Sequence, residues 1–231
     1  MLNKINSKTS LIIINSPANP TGGIVPKIEL EKLAKGLEDH PNVILMSDEI
    51  YDQFCFGPNQ FTSMLSFPNI RDRLIILNGW SKTYAMTGWR LGYGVFPDKL
   101  YQIAEKLAVN IHSCVNASAQ FAALEALQGP QECVSEMNKS FKQRASFMHK
   151  KLNEINGFNC QEPHGAFYCF PNVQNTNKSS TEIQNLLLDK LGVATVAGTS
   201  FGEYGEGFIR LSCANSDAAI EEAIDRIKSI F

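Results

Sequence analysis

The sequence predicts an α/β protein, in which a domain with a central, mostly parallel sheet precedes a smaller α+β domain. Two observations predict this class. In the first half, short apolar runs alternate with a helical pattern and with turn-forming residues, as in parallel sheets with helices on their faces. In the second half, longer helical patterns alternate with short strands. We therefore expect a large-domain portion over residues 1–129 and a small domain over residues 130–231.

The first half contains four predicted strands and one early helix. Residues 11–14 are apolar on both faces, which is typical of a central parallel strand. Pro26 stands at the expected first position of a helix, where its missing N–H costs nothing. The apolar face of this helix carries Leu30, Leu33, Ala34 and Leu37. Residues 43–46, 74–77 and 91–96 predict the remaining strands.

The second half is mainly helical. Gly129 and Pro130 mark the end of one helix, and Ser216 is a suitable N-cap for the last. Helices are predicted at residues 98–110, 117–128, 131–155, 181–191 and 216–230, and strands at residues 166–170, 193–196 and 208–211.

Composition excludes several function classes. With 231 residues, 44% hydrophobic and 19% charged, and a net charge of -2, the chain resembles a soluble globular protein with no reason to bind nucleic acid or membranes. No 18 apolar residues run together, so no membrane span is expected.

The six cysteines form no C-x-x-C pair, which predicts reduced, mostly buried thiols in a cytoplasmic protein. The four histidines match no metal-ligand spacing, and we expect no metal site.

Polar side chains follow three successive strands of the predicted sheet. Asn19 follows the first, Asp48 and Tyr51 the second, and Lys82 the third. Ligands of open α/β sheets bind at the carboxyl ends of the strands, so these side chains are candidates for one site. Each also has an ordinary explanation. Asn19 suits a turn, Asp48 a helix N-cap, Tyr51 a core position and Lys82 a solvated loop.

Taken together, these residues suit pyridoxal phosphate (PLP). Lys82 offers an amine for a Schiff base with the aldehyde, and Asp48 a carboxylate that keeps the ring nitrogen protonated. Asn19 and Tyr51 can donate hydrogen bonds to the phenolic oxygen. Arg90, eight residues after Lys82, can bind two phosphate oxygens at once.

Four segments carry a family resemblance. They are residues 15–22 (Asn-Ser-Pro-Ala-Asn-Pro-Thr-Gly), 47–51 (Ser-Asp-Glu-Ile-Tyr), 81–93 (Ser-Lys-Thr-Tyr-Ala-Met-Thr-Gly-Trp-Arg-Leu-Gly-Tyr) and 207–212 (Gly-Phe-Ile-Arg-Leu-Ser). In this order, spread over nearly the whole chain, they resemble the motifs of class I/II PLP-dependent aminotransferases. The type they resemble is the bacterial aspartate/aromatic one, which has the three-layer PLP-transferase fold called fold type I.

The resemblance implies a role for each residue near the cofactor ring. Lys82 would form the Schiff base and move the proton between the substrate α-carbon and the cofactor. Asp48 would pair with the pyridinium nitrogen. Asn19 and Tyr51 would bind the phenolic oxygen.

Phosphate and substrate binding are implied in the same way. Ser81 and Arg90 would bind the phosphate, and Arg210, with Asn19, the α-carboxylate of the substrate. Some family members have a phosphate-binding Ser or Thr three residues before the lysine. Gly79 stands there in this chain, so that contact is expected to be absent or to come from the backbone. The alternative to substrate binding is that Arg210 forms a salt bridge at a domain interface.

Several aromatic residues are interpreted as packing residues rather than substrate contacts. These are Tyr84, Trp89 and the residues around Tyr168, where residues 165–170 resemble a family strand near the substrate.

Family members also carry a large N-terminal portion before the Asn-Pro-Thr-Gly motif. The resemblance implies that this chain lacks it and is a fragment, with open apolar edges at residues 11–14 and 91–95. Losing two or three charge-assisted hydrogen bonds would weaken cofactor binding by about 10²- to 10⁴-fold or more. Three hypotheses follow: an aminotransferase acting on an amino acid and a 2-oxo acid, a PLP lyase or decarboxylase of the same fold, and a non-catalytic remnant. A homodimer is implied by the resemblance only.

Overall fold

The computed structural model describes residues 1–231 and divides into two compact units. The first comprises Met1–Pro17, Ile24–Gln53 and Asn59–Ser135, and the second Ala18–Gly23, Phe54–Pro58 and Glu136–Phe231. Two short segments from the first half of the chain thus belong to the second unit. The division at residue 129 expected from the sequence assigns those segments differently, and it remains a proposal.

A four-stranded sheet forms the centre of the first unit. Its strands are β1 (Leu11–Asn15), β2 (Ile44–Asp48), β3 (Leu74–Gly79) and β4 (Gly92–Val95), in the order β1-β2-β3-β4. The first three strands are parallel and β4 is antiparallel to β3. Asn15 pairs with Asp48, and Asp48 with Leu77, so the carboxyl ends of the three parallel strands are aligned. The predicted mostly parallel sheet is confirmed.

Residues 11–14 form an edge strand, which agrees with the open edge implied by the resemblance and not with the central position that the apolar run suggests. β1 is an edge strand whose side chains alternate between a buried and an exposed face. Ile12 and Ile14 are 9% and 8% exposed, whereas Leu11 and Ile13 are 42% and 62% exposed. The other edge strand, β4, is exposed throughout. A run of apolar residues indicates that both faces of a strand favour burial. It does not show whether another strand or helix of the chain covers each face.

Three helices of the first unit lie close to their predicted positions: α1 (Lys27–Gly36), α3 (Asp98–His112) and α4 (Ala117–Gln128). The short helix α2 (Trp80–Thr83) was not predicted. Pro26 is the N-cap of α1 rather than its first helical residue, and Leu37 belongs to the 3-10 turn that follows. The buried face of α1 packs with β1 to β3 in one core, which includes Leu30, Leu33, Ala34, Leu45 and Ile76.

The second unit contains a small antiparallel sheet and three helices. The helices are α5 (Glu132–Leu152), which begins in the first unit, α6 (Ser180–Leu191) and α7 (Asp217–Lys228). The strands are β5 (Tyr168–Cys169), β6 (Val196–Ala197) and β7 (Ile209–Ser212), in the order β5-β7-β6. Ser216 caps α7 as predicted, and Ser179 and Glu182 form a capping box on α6. No helix of the structure has the length and apolar character needed to cross a membrane.

Candidate active site

Asp48 ends β2 with its carboxylate held by the following turn. Its Oδ1 accepts a hydrogen bond from the backbone N–H of Ile50 at 3.2 Å, and the segment that follows is a turn rather than a helix. The helix N-cap explanation for Asp48 is therefore wrong. Burial raises the pKa of Asp48, while the Ile50 N–H and the positive charge of Lys82 oppose this shift. The Asp48 carboxylate and the Lys82 amine thus interact electrostatically.

Lys82 lies in the short helix α2, directly after β3, and not in a solvated loop. Its Nζ is 5.8 Å from the centroid of the Tyr51 ring, and Tyr51 itself is only 3% exposed. β3 ends next to β2 in a parallel pair, which explains why a residue just past β3 faces residues just past β2. The structure therefore brings Asp48, Tyr51 and Lys82 together in the first unit.

The turn after β2 is anchored by a buried carboxylate that the sequence did not single out. Glu49 is 3% exposed, and its Oε1 accepts hydrogen bonds from Ser47 Oγ at 3.0 Å and from the Met64 N–H at 2.9 Å. Burial raises the pKa of Glu49, whereas the hydrogen bonds from Ser63, Met64 and Ser47 act against that shift. This network fixes the strand end that carries Asp48. Its only signal in the sequence was a second acid beside Asp48, which a turn explains equally well.

Gly79 is required by the close approach of β4 to β3. A Cβ at Gly79 would lie 2.8 Å from Gly92 Cα and 2.9 Å from the Leu91 carbonyl oxygen. Both atoms belong to the backbone, so a larger residue would push the strands apart. This contact gives a steric reason for glycine at the position where some family members have Ser or Thr.

Ser81 and Arg90 lie on either side of the same loop region. Ser81 is half-buried in α2, and Arg90 follows the 3-10 turn Thr87–Trp89 with a left-handed φ of 56°. The Arg90 guanidinium is exposed and donates through Nη1 to the Thr87 carbonyl oxygen at 2.9 Å. Its other N–H groups remain available to an anion.

Two aromatic residues of this region differ in their surroundings. The Tyr84 hydroxyl hydrogen-bonds with Gln131 Oε1 at 3.1 Å, which agrees with a packing role. Trp89 is 49% exposed, so its interpretation as a packing residue is not supported.

Asn19 and Arg210 meet in the second unit. Arg210, on β7, donates through Nη1 to Asn19 Oδ1 at 2.8 Å. Its Cζ atom lies 4.5 Å from the centroid of the Tyr168 ring and 5.0 Å from that of Phe201. Arg210 takes part in none of the ion pairs of the structure, so the salt-bridge alternative is not observed. Its guanidinium retains N–H groups for a carboxylate.

The turn that carries Asn19 is specified by its own residues. Gly22 donates its N–H to the Ala18 carbonyl oxygen at 2.9 Å, and Gly22 has a left-handed φ of +69°. A Cβ at Gly22 would lie 2.7 Å from Pro163 Cβ and 2.9 Å from the Tyr168 carbonyl oxygen. Only glycine fits both the conformation and the space, which fixes Asn19 in position without a ligand.

None of the six cysteines forms a disulfide; three are buried, one is half-buried and two are exposed, so burial is less general than predicted. No group of three or more His, Cys, Asp or Glu side chains could hold a metal ion.

The comparisons with known proteins decide the family. The model of the family described as aminotransferase class I and II matches residues 1–227 of the chain. The chain belongs to this aminotransferase family.

Relatives and solved structures of the family agree with this assignment. The chain is 38% identical to an aspartate aminotransferase of Pyrococcus abyssi over 98% of its own length and 58% of the relative's. The structure is similar to that of an aromatic aminotransferase from Pyrococcus horikoshii, with a TM-score of 0.94, 36% identity, and 99% and 61% of the two chains covered. It is likewise similar to an aspartate aminotransferase from Rhizobium meliloti, with a TM-score of 0.93, 33% identity, and 99% and 59% covered.

These comparisons confirm the predicted family and its fold, the PLP-transferase fold of type I. The chain spans about 58% of the length of the aminotransferases that it matches. The individual roles of the site residues are not tested by the comparisons and are taken up as proposals.

Proposed function

We propose that this chain is part of a PLP-dependent aminotransferase, which transfers an amino group between an L-amino acid and a 2-oxo acid. The observation that carries the proposal is the cluster of Lys82, Tyr51 and Asp48 at the carboxyl end of the sheet. An amine, a phenol and a carboxylate at this edge, within an aminotransferase family, match the needs of one cofactor.

The residues of the first unit fit PLP. When bound, this cofactor supplies an aldehyde that reacts with amines and a protonated ring that accepts electrons. Lys82 offers the amine, and Asp48 a partly buried carboxylate for the ring nitrogen. Tyr51 and Asn19 are the donors for the phenolic oxygen, and Ser81 and Arg90 for the phosphate. Asn19, in the second unit, takes this role by resemblance.

Proton transfer is assigned to Lys82. Its Nζ lies beside the Tyr51 ring and near the negative charge of Asp48. An amine placed beside the cofactor ring can transfer a proton to and from one carbon atom. In this proposal Lys82 removes a proton from the α-carbon of the substrate and returns a proton later.

Substrate binding is assigned to Arg210. Its guanidinium lacks a carboxylate partner within the second unit and is oriented by Asn19. Pairing with the α-carboxylate through two N–H groups would satisfy this charge and fix the orientation of the substrate. Amino acids and 2-oxo acids both carry that carboxylate, so one arginine serves both.

The compartment and the assembly complete the proposal. Six cysteines that form no disulfide support a reducing compartment, the cytoplasm. A homodimer is proposed from family membership alone.

Substitution of Lys82 tests the cofactor assignment. Purified wild-type protein mixed with PLP should acquire the visible absorbance of a PLP–amine linkage, and Lys82→Ala should lose it. Lys106→Ala, on the exposed α3, is the matched control and should keep the absorbance. Unchanged absorbance in Lys82→Ala would show that another amine reacts.

A coupled assay separates transamination from elimination. An aminotransferase forms a 2-oxo acid from one amino acid only in step with amination of a second 2-oxo acid. Release of ammonia without an acceptor acid would instead identify a lyase on the same fold.

A further inference from the structure

The short helix α2, which carries Lys82, is held by side chains at both of its ends. At its first residue, Trp80 Nε1 donates a hydrogen bond to the Ala123 carbonyl oxygen at 3.1 Å. At its last residue, Thr83 Oγ1 donates to Asp52 Oδ1 at 3.3 Å, and Thr83 is only 6% exposed. A helix of four residues is too short to be stable through its own backbone hydrogen bonds. Contacts with the rest of the first unit therefore set the orientation of α2.

Asp52 belongs to the turn that carries Tyr51. The Asp52 N–H donates to the Glu49 carbonyl oxygen at 3.0 Å, which closes this turn after β2. Tyr51, the residue before Asp52, has its ring centroid 5.8 Å from Lys82 Nζ. The residue after Lys82 is thus bonded to the residue after Tyr51. This hydrogen bond joins the two segments at the point where the amine and the phenol face each other.

The chemistry of the pair makes this contact directional. A hydroxyl group that donates to a carboxylate forms a charge-assisted hydrogen bond, which is stronger than one between neutral groups. Valine has nearly the shape of threonine and lacks the donor, so Thr83→Val keeps the packing of this buried position and removes the bond. Without it, the end of α2 next to Lys82 loses its attachment to the turn after β2.

We propose that Thr83 and Asp52 are positioning residues, whose hydrogen bond holds Lys82 beside Tyr51. The consequence for the cofactor rests on the proposed function: a correctly placed amine should bind PLP more tightly. The position of the amine is a property of the chain without cofactor, so it is measured separately.

Nuclear magnetic resonance on the full chain tests the position of Lys82. In protein with ¹³C-labelled lysine, the Lys82 ε-methylene signal is identified by its loss in Lys82→Ala. The wild-type signal should be displaced from those of the exposed lysines, because the Tyr51 ring lies beside the amine and its ring current shifts nearby nuclei. Thr83→Val should move the signal towards those of the exposed lysines. Thr83→Ser, which keeps the hydroxyl, should leave it in place.

Absorbance titration with PLP tests the consequence for the cofactor. Thr83→Val should weaken formation of the linkage by about 10-fold, the loss expected for a hydrogen bond to a charged group. Thr83→Ser should stay within about 2-fold of the wild type. Asp52→Ala should weaken the linkage as much as Thr83→Val, and the double variant no more than either alone, because both changes remove the same bond.

Thr181→Val is the matched control. Thr181 is exposed on α6, so the same chemical change there should alter neither the Lys82 signal nor the linkage. A Lys82 signal that does not move in Thr83→Val would overturn the inference, and so would equal effects of Thr83→Val and Thr83→Ser. A displaced signal with unchanged affinity for PLP would overturn the role of the bond in cofactor binding.

Failure of the proposed function gives a different result. If the wild type forms no linkage with PLP, the cofactor assignment fails together with the role of the bond in cofactor binding. The Lys82 signal, recorded without PLP, still decides whether the hydrogen bond between Thr83 and Asp52 positions the amine.

Discussion

At the scale of single residues, the site depends on buried or half-buried charges held by backbone N–H groups. Asp48 accepts from Ile50, and Glu49 from Met64, so each carboxylate of this adjacent pair is fixed by a different segment. Burial raises the pKa of both side chains. Despite this cost of desolvation, Asp48 lies at the candidate site and Glu49 holds the turn that carries Asp48.

The raised pKa of Glu49 predicts a stability that depends on pH. Because the folded state holds the proton more strongly than the unfolded state, stability should fall as pH rises above the ordinary value of 4.5 and level off above the raised pKa. Glu49→Gln keeps an acceptor oxygen and cannot ionise, so it should lose less stability over this range. The measurement is urea unfolding of both proteins at several pH values.

Ser47→Ala should increase the pH dependence of stability that Glu49→Gln reduces. Removing the Ser47 hydroxyl takes away a hydrogen bond that lowers the pKa of Glu49, so the fall in stability with pH should extend further. A Glu49→Gln protein with the same pH dependence as the wild type would contradict the assignment.

At the scale of elements, the position of Lys82 follows from strand pairing. β3 is parallel to β2 and antiparallel to β4, and the backbone of residues 91 and 92 leaves no room for a side chain at Gly79, three residues before the lysine. The sequence identified this glycine as a departure from the family pattern. It could not give the reason, because the atoms that exclude a side chain belong to residues 91 and 92.

Gly79→Ala should destabilise the chain and displace α2. Its Cβ would meet backbone atoms of Leu91 and Gly92, and overpacking of this kind costs about 1–3 kcal/mol. Gly88→Ala is the matched control, since a Cβ there meets nothing within 4 Å. Thermal unfolding of the two variants measures the difference, and equal midpoints would show that β3 and β4 are not held as described.

At the scale of the whole molecule, the positions of helices and strands along the chain were easier to predict from the sequence than the contacts between them. Helix α4 occupies the predicted residues 117–128, and the parallel pairing of β1, β2 and β3 agrees with their apolar runs. The edge positions of β1 and β4 agree with the open edges implied by the resemblance, whereas the ring of Phe201 beside Arg210 was not predicted. A local pattern does not show which side chains of a turn and of a later strand come together.

The exposed face of β1 predicts a tendency to self-associate. Ile13 is 62% exposed on an edge strand, and such edges pair readily with other chains. Ile13→Lys should reduce light scattering on concentration and change stability by no more than about 0.5 kcal/mol. Ile12→Lys, at the neighbouring buried position, should instead cost about 4 kcal/mol or more. Equal effects of the two substitutions would contradict the observed orientation of the strand.

The central claim is that Lys82 is the residue that binds the cofactor covalently. The most direct measurement is to mix the purified chain with PLP, reduce the linkage with borohydride and locate the modified peptide by mass spectrometry. The account predicts a single dominant modification at Lys82, strongly reduced in Asp48→Asn because the ring nitrogen loses its carboxylate. A modification spread over the exposed lysines, with Lys82 no more labelled than the rest, would contradict it.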